Sequence, residues 1–174
     1  IVCYDSQTEG VLDLADKELN YLIEQVAQKN PHILVILDCC HSGTATREPN
    51  VVERQAPTTG VARNLQDFLF PEAWINKRLS DNYKIPRHIA IAACREHQKA
   101  KEYVGNYQVR GAFSYFLTEA LHRATSLSYV DLVREINALI TGKVDNQSPQ
   151  IEGGAEDCRL TFLGGAIGER TNYL

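Results

Sequence analysis

Cys40 lies in the run Asp38–Gly43, whose residue types (Asp-Cys-Cys-His-Ser-Gly) suit nucleophilic catalysis. A cysteine nucleophile must be an exposed thiolate, and Cys40 follows an aliphatic stretch and precedes a glycine that lets the chain turn away. Its backbone amide can then point at the carbonyl oxygen of a substrate. Cys39 points the opposite way on an extended chain and is interpreted as a small buried hydrophobe. We therefore predict that Cys40 is a catalytic nucleophile.

Asp38 lies two residues before Cys40, so strand alternation sends both side chains to the same side. A carboxylate beside the nucleophile does not favour a thiolate, because like charges repel. Asp38 is predicted instead to bind a cationic side chain of the substrate. His41 is a poor candidate for the base, because adjacent side chains on an extended chain diverge.

Two other chemistries fit the cysteines less well. A tyrosine-phosphatase loop places five residues between its Cys and its Arg, whereas six separate Cys40 from Arg47, and the usual His directly before the nucleophile is missing. A metal site is not predicted, because the chain has no CxxC pair and adjacent cysteines cannot easily bind one ion together. The five cysteines are instead expected to be thiols in a reducing cytoplasm.

The composition is that of a globular protein of one domain, with 174 residues and 44% hydrophobic residues. A net charge of −4 argues against nucleic-acid binding, and no apolar run reaches the roughly 18–20 residues of a membrane helix. The first residues do not resemble a signal peptide. Because the sequence opens on Ile1 and contains no Met, we expect a fragment of a longer protein.

The segments before the candidate nucleophile predict a strand–helix–strand order. Asp16 is a suitable N-cap, and Leu19, Leu22, Ile23 and Val26 recur at helical spacing until Asn30-Pro31 ends the pattern. Two aliphatic runs, His32–Leu37 and His88–Ala93, read as buried parallel strands.

Two further helices are predicted over Ala112–Arg123 and Tyr129–Leu139, the second capped by Ser128. Residues 95–110 read as irregular, and Arg159–Leu163 reads as the last strand. The fold class is therefore α/β, an open, mostly parallel sheet with helices on both faces. Sites in such sheets form at the carboxyl ends of strands, where both Asp38–His41 and Cys94–Glu102 fall.

Residues 44–86 are polar, with few apolar anchors, and read as a long surface insertion. Basic residues in an exposed loop are candidates for proteolysis; this segment contains Arg47, Arg54, Arg63, Lys77 and Arg78.

The run Leu37–Gly43 after an aliphatic strand resembles the nucleophile motif of metacaspases and orthocaspases, within the caspase-like cysteine peptidases (peptidase C14). Further stretches agree with this family in order and spacing: Asp16–Leu19, Ala92–Glu102, Gly111–Ser114 and Gln147–Gln150. The animal-caspase signature Gln-Ala-Cys-x-Gly is absent, so strict caspase behaviour is not implied.

The resemblance implies that Cys40 attacks the scissile carbonyl and forms a thioester, with its backbone NH in the oxyanion hole. Asp38 would line the S1 pocket and Glu102 would be the second wall. Relatives with this acidic pair prefer peptides with Arg or Lys at P1, and two carboxylates in a partly buried pocket suit a guanidinium. Without the resemblance, Glu102 reads equally well as a solvated loop charge.

The family's base is a His in a Ser-Gly-His-Gly-type turn, roughly 50 residues before the nucleophile. The one His before Cys40, His32, opens the nucleophile's own strand, roughly 20 Å or more away. None of the other histidines fits the motif; they are His41, His88, His97 and His122. The base is therefore expected upstream of Ile1, on another chain, or lost, and the expected partner is the N-terminal part of the same protein.

Many metacaspases need calcium, and Asp5 and Asp16 could match two of their ligands. Lys17 occupies a position that is often Asp, and Arg47 falls where an acid is expected. Since a cation in place of a ligand repels calcium, we expect no calcium site and no other cofactor.

By the same resemblance, 1–43 would be the C-terminal part of the large (p20-like) subunit, 44–86 the intersubunit linker, and 87–174 the small (p10-like) subunit. All three would form one caspase-like domain, and self-cleavage in the linker is a hypothesis.

Two functions remain open. The first is a cysteine endopeptidase cleaving after Arg or Lys through a Cys-His dyad, and the second is an inactive caspase-like interaction module. The retained nucleophile, glycine turn and acidic pair favour the peptidase.

Overall fold

The computed structural model describes residues 1, 3, 6, 8–39, 63–79, 83–105, 107–124 and 126–164. These residues form two compact units. The first unit contains the described residues of 1–33 and 63–87, and the second contains 34–39 and the described residues of 88–164. No helix within the described ranges is both long and apolar enough to cross a membrane.

In the first unit, helix α1 (Asp16–Ala27) lies where the periodicity predicts it. Its N-cap is Ala15 rather than the predicted Asp16, because the carboxylate of Glu18 accepts the Ala15 amide at 2.8 Å and fixes the helix start one residue earlier. Of the predicted apolar face, Ile23 is buried, whereas 54% of Val26 is exposed. The helix is followed by Asn30 in the left-handed conformation, with φ of 51°, as expected for a residue that ends a helix.

The segment after residue 62 is more ordered than a surface insertion. It contains a 3-10 turn (Leu65–Asp67) and helix α2 (Glu72–Arg78), from which Trp74 enters the interior. The Trp74 ring lies 4.8 Å from that of Phe70 and 5.5 Å from that of Tyr21. Residues 44–62 of the predicted insertion lie outside the described residues.

Glu18 is the buried polar centre of this unit. Its two carboxylate oxygens accept hydrogen bonds from the Arg63 guanidinium at 2.9 and 2.8 Å, and Oε1 accepts the Leu69 amide at 3.0 Å. Arg63 also stacks over the Phe68 ring at 4.2 Å. Burial alone raises the pKa of Glu18, but the hydrogen bonds from Arg63, Ala15 and Leu69 outweigh it, so the pKa lies below its ordinary value.

Glu24, nearly two turns after Glu18 on α1, binds residues of α2 and Tyr83. It accepts hydrogen bonds from Trp74 Nε1 at 2.7 Å, from Tyr83 Oη at 3.2 Å and from the Lys77 ammonium. Burial raises the pKa of Glu24, and the donors Lys77, Trp74 and Tyr83 lower it further than burial raises it. The two carboxylates therefore bind Arg63, Trp74, Lys77 and Tyr83 to α1.

This packing corrects the prediction that the basic residues of the segment are exposed in a loop. Only 14% of the Arg63 side chain is exposed, because Glu18 and Phe68 cover it. Lys77 and Arg78 belong to α2. Arg47 and Arg54 lie outside the described residues.

The second unit is built on a three-stranded sheet in the order β1 (Leu34–Leu37), β2 (Ile89–Ala92) and β5 (Gln150–Glu152). β1 and β2 pair in parallel with Leu37 opposite Ala92, which confirms the two predicted strands. The predicted burial is wrong for β1, because 41% of Ile36 is exposed. β5 pairs antiparallel with β2, so the described sheet is mixed.

Strands β3 (Glu102–Gly105) and β4 (Gln108–Gly111) form a separate antiparallel hairpin. The prediction of irregular structure over 95–110 is wrong for this part. The chain reverses around Tyr107, whose φ is 61°, and 69% of Val104 and 61% of Val109 remain exposed. Because both of its valines are exposed, the hairpin lacks the hydrophobic alternation of a half-buried strand.

Helices α3 (Ala112–Arg123) and α4 (Tyr129–Ile140) confirm both predicted helices. Ser128 caps α4 by accepting the Asp131 amide at 3.1 Å, as predicted. The helices pack with one face of β2, and this core contains Ile89, Ile91, Phe113, Phe116, Leu132 and Ile136.

The predicted last strand, Arg159–Leu163, is wrong. The region forms two 3-10 turns (Asp157–Arg159 and Phe162–Gly164), and Thr161 between them forms an isolated antiparallel bridge with Ser128. Its apolar residues serve packing instead, because Phe162 lies against the buried Tyr129 ring at 5.3 Å. The strand in this part of the chain is β5.

Candidate active site

Asp38 follows the last residue of β1 at the carboxyl edge of the sheet. The parallel ladder ends beside it, where the Ala93 amide donates to the Leu37 carbonyl at 2.9 Å. Asp38 and Cys39 are half-buried. The predicted nucleophile, Cys40, lies outside the described residues, as does His41.

The Asp38 carboxylate reaches the start of α3. Its Oδ2 accepts a hydrogen bond of 2.6 Å from the Ser114 hydroxyl and a longer one, 3.4 Å, from the Ser114 amide. It also occupies the space beside Gly111, where a Cβ atom would lie 2.0 Å from Oδ2. Gly111 is therefore required here because of this close approach, and Asp38 acts as a carboxylate cap for α3.

Glu102, the other predicted pocket residue, begins β3 directly opposite Gly111. The Ala112 amide donates to the Lys101 carbonyl at 2.9 Å, so the next pair, Glu102 and Gly111, is a non-hydrogen-bonded pair with closely spaced side-chain positions. Opposite residues of a hairpin face the same side, with Cβ atoms about 5 Å apart. Since Asp38 fills the Cβ position of Gly111, the two half-buried acids share one face of the hairpin.

The loop from β2 to β3 is fixed by two buried amide side chains. Gln147 accepts the Lys101 amide at 3.0 Å and donates to the Ala93 carbonyl at 3.1 Å, so it connects the two ends of the loop. Gln98 accepts the amides of Arg95 and Ser148 at 3.1 and 2.9 Å. Because Lys101 directly precedes Glu102, these contacts hold the start of β3.

A caspase-domain family model matches residues 9–157, which is most of the chain. The chain belongs to the caspase-domain family. It is similar to metacaspase-1 of Botryotinia fuckeliana, with 26% identity over 86% of the chain and 42% of that protein. It is also similar to metacaspase-1 of Sclerotinia sclerotiorum, with 25% identity over 86% of the chain and 41% of that protein.

The chain therefore spans about two fifths of the length of these metacaspases. A crystal structure of a Geobacter sulfurreducens protein has a similar fold, with a TM-score of 0.54 and 18% identity over 91% of this chain and 64% of that one. The predicted caspase-like α/β fold is confirmed, and so is the membership of the caspase-like peptidase clan.

The described histidines of this caspase domain are dispersed. His88 directly precedes β2, at the opposite end of the sheet from Asp38, and His122 lies in the last turn of α3. His97 is exposed in the loop between β2 and β3, and His32 belongs to the first unit. Among the described candidate site residues, Asp38 lies beside Gly111, and Glu102 lies opposite Gly111 in the hairpin.

The sequence prediction assigned no role to three residues that contact Asp38 or the start of β3 in this candidate site. Gly111 and Ser114 belong to a stretch whose resemblance is recognisable, but their contact with Asp38 depends on the tertiary fold. Gln147 looks like an ordinary polar loop residue, yet it is 4% exposed and connects two backbone groups. Its signal in the sequence is its place in the stretch Gln147–Gln150, which agrees with the family in order and spacing.

Within the described ranges, no group of three or more acidic, His or Cys side chains could hold a metal ion. Asp16 and Lys17 lie in the first turn of α1, whereas Asp5 and Arg47 lie outside the described residues. The four described cysteines, Cys3, Cys39, Cys94 and Cys158, form no disulfide.

Proposed function

We propose that this caspase domain is part of a cysteine endopeptidase that cleaves peptides after Arg or Lys. The observation that carries the proposal is the shared position of Asp38 and Glu102 on one face of the β3–β4 hairpin, around Gly111. Two carboxylates that approach one point attract a cation and repel an acidic side chain. A substrate arginine suits them better than an aspartate.

In this proposal, Cys40 is the nucleophile and its amide stabilises the oxyanion of the tetrahedral intermediate. Asp38 is two residues before Cys40 and lies at the carboxyl edge of the sheet, where α/β folds place their sites. The base is a histidine of the N-terminal part of the same protein. The thiol gives its proton to that histidine and attacks the scissile carbonyl. The tetrahedral intermediate then breaks its C–N bond, the amine leaves with the proton from the histidine, and water hydrolyses the remaining thioester to release the acid and regenerate the thiol.

The proposed large-subunit part is 1–43, the linker 44–86 and the small subunit 87–174. Self-cleavage within the linker requires a basic residue in an extended, accessible segment. Arg63 is held by Glu18, and Lys77 and Arg78 are helical, so none of the three meets this requirement. Lys84 is exposed and lies outside the helices. Cleavage is therefore proposed after Arg47, Arg54 or Lys84, and mass spectrometry of the fresh protein against Cys40→Ala locates it.

The test of the peptidase is hydrolysis of matched fluorogenic peptides that end in Arg, Lys or Asp, by the complete protein. Cleavage after Arg and Lys is expected, and Cys40→Ala should abolish it. Cys39→Ala is the matched control, because it removes the neighbouring thiol and should retain activity. No hydrolysis of the Arg peptide by protein with Cys40 intact would instead favour the inactive interaction module.

A further inference from the structure

The hydrogen bond from Ser114 to Asp38 connects two elements 76 residues apart in sequence. The short contact, 2.6 Å from Oγ to Oδ2, has the length of a bond to a charged acceptor. The Ser114 amide donates to the same oxygen at 3.4 Å. Both donors thus act on one oxygen, which fixes the rotation of the carboxylate as well as its place.

Gly111 limits the same carboxylate from the other side. A Cβ atom at residue 111 would lie 2.0 Å from Oδ2 and 2.7 Å from Cγ of Asp38, so any side chain would displace the carboxylate. Glu102 lies opposite Gly111 in the hairpin. The missing side chain at Gly111 and the hydroxyl of Ser114 therefore both contribute to placing the Asp38 carboxylate near the backbone position opposite Glu102.

We propose that Ser114 is a positioning residue for substrate specificity: its hydroxyl holds Asp38 beside Glu102 so that both carboxylates act on one basic side chain. The inference rests on the proposed function. Ser114 lies on the first turn of α3 and acts on the substrate only through Asp38. Losing its hydroxyl removes the 2.6 Å bond and leaves the 3.4 Å bond from the amide, so the carboxylate is held less closely beside Glu102 and the site loses part of its preference for a cation.

The competing interpretation is that the contact only stabilises the start of α3. Ser128 provides the matched control, because its hydroxyl donates to Asp131 Oδ2 at the same distance, 2.6 Å, at the start of another 12-residue helix. Asp131 belongs to α4 itself, whereas Asp38 comes from the end of β1. Ser128→Ala should therefore affect stability alone.

The experiment compares kcat and KM of the complete protein on peptides ending in Arg or in citrulline, its neutral analogue. For Ser114→Ala we expect kcat/KM on the Arg peptide to fall about tenfold, mainly through KM, with the citrulline peptide unaffected. Ser114→Thr, which keeps the hydroxyl, should retain wild-type selectivity. The rate at which iodoacetamide alkylates Cys40, followed by peptide mass mapping, should be equal in all variants.

Unchanged Arg-over-citrulline selectivity in Ser114→Ala would overturn the inference, as would an equal loss in Ser114→Thr or Ser128→Ala. If Ser114→Ala does not fold, Gly111→Ala is the second variant, and retained selectivity there would also overturn it. Wild-type protein that does not prefer the Arg peptide would refute the proposed function itself. The two failures are thus distinguished by the behaviour of the wild type.

Discussion

The Glu18–Arg63 pair gives the sharpest stability prediction, because Glu18→Ala would leave a covered guanidinium without its carboxylate. The side chains are 3% and 14% exposed, and Glu18 accepts two bonds from Arg63 and one each from the Ala15 and Leu69 amides. Removing one partner of a buried pair costs about 3–5 kcal/mol. Arg63 keeps bonds to the carbonyls of Asp13 and Asp67, so we expect the lower end, about 3 kcal/mol.

Urea denaturation of the complete protein measures this loss. With a slope of about 2 kcal/mol per molar urea, the midpoint for the first unit should fall by roughly 1.5 M. Glu135→Ala is the matched control: it breaks an Arg–Glu pair at 4.0 Å whose side chains are 55% and 39% exposed, and it should cost about 0.5 kcal/mol or less. A loss in Glu18→Ala no larger than in this control would refute the role assigned to Glu18.

The same pair should depend on pH in a definite direction. The pKa of Glu18 in the folded protein lies below its ordinary value of 4.5, so the folded state favours the ionised carboxylate. Its contribution is complete above pH 4.5 and is lost as pH falls through the lowered folded pKa. The difference in the free energy of unfolding between wild type and Glu18→Ala should therefore become smaller in acid. A difference that stays constant down to about pH 3 would contradict the ion-pair explanation.

Three further predictions concern packing, the loop before β3 and calcium. Trp74→Phe keeps an aromatic ring but loses the hydrogen bond to Glu24, so the free energy of unfolding should fall by about 1–2 kcal/mol. Urea denaturation followed by circular dichroism measures this loss, and an unchanged midpoint would show that the bond is dispensable. Gln147→Leu should accelerate hydrogen exchange at the Lys101 amide, which loses its acceptor, and unchanged exchange would exclude the proposed connection. Adding calcium should leave the melting temperature unchanged. An increase with calcium that a chelator reverses would show a calcium site.

Much of the fold is recognisable in the sequence, because long local patterns specify it. The apolar runs of β1 and β2 and the helical periodicity of α3 and α4 predict those elements to within two residues. The apolar pattern of the sequence gives a wrong element where the segment is short. Arg159–Leu163 alternates like a strand, yet it forms parts of two 3-10 turns, and its Phe162 packs against Tyr129.

The candidate site was only partly predictable. Asp38 and Glu102 follow from the motif and its resemblance, since both lie in segments with a recognisable spacing. Their common neighbour Gly111 does not, because it depends on strand pairing in a hairpin with two exposed valines on its surface. The contact with Ser114 likewise joins segments far apart in sequence. The ordered segment after residue 62 was missed because its stability comes from two carboxylates on a different helix, α1.

The most direct test concerns the two acids around Gly111. The Arg-over-Asp selectivity of the complete protein should be measured for wild type, for the double variant Asp38→Asn with Glu102→Gln, and for Glu152→Gln, an exposed acid on β5 opposite Ala90. We predict that the double variant loses about a hundredfold of kcat/KM on the Arg peptide, whereas Glu152→Gln retains it. Undiminished cleavage after Arg by the double variant would contradict the assignment of these carboxylates to a basic specificity pocket.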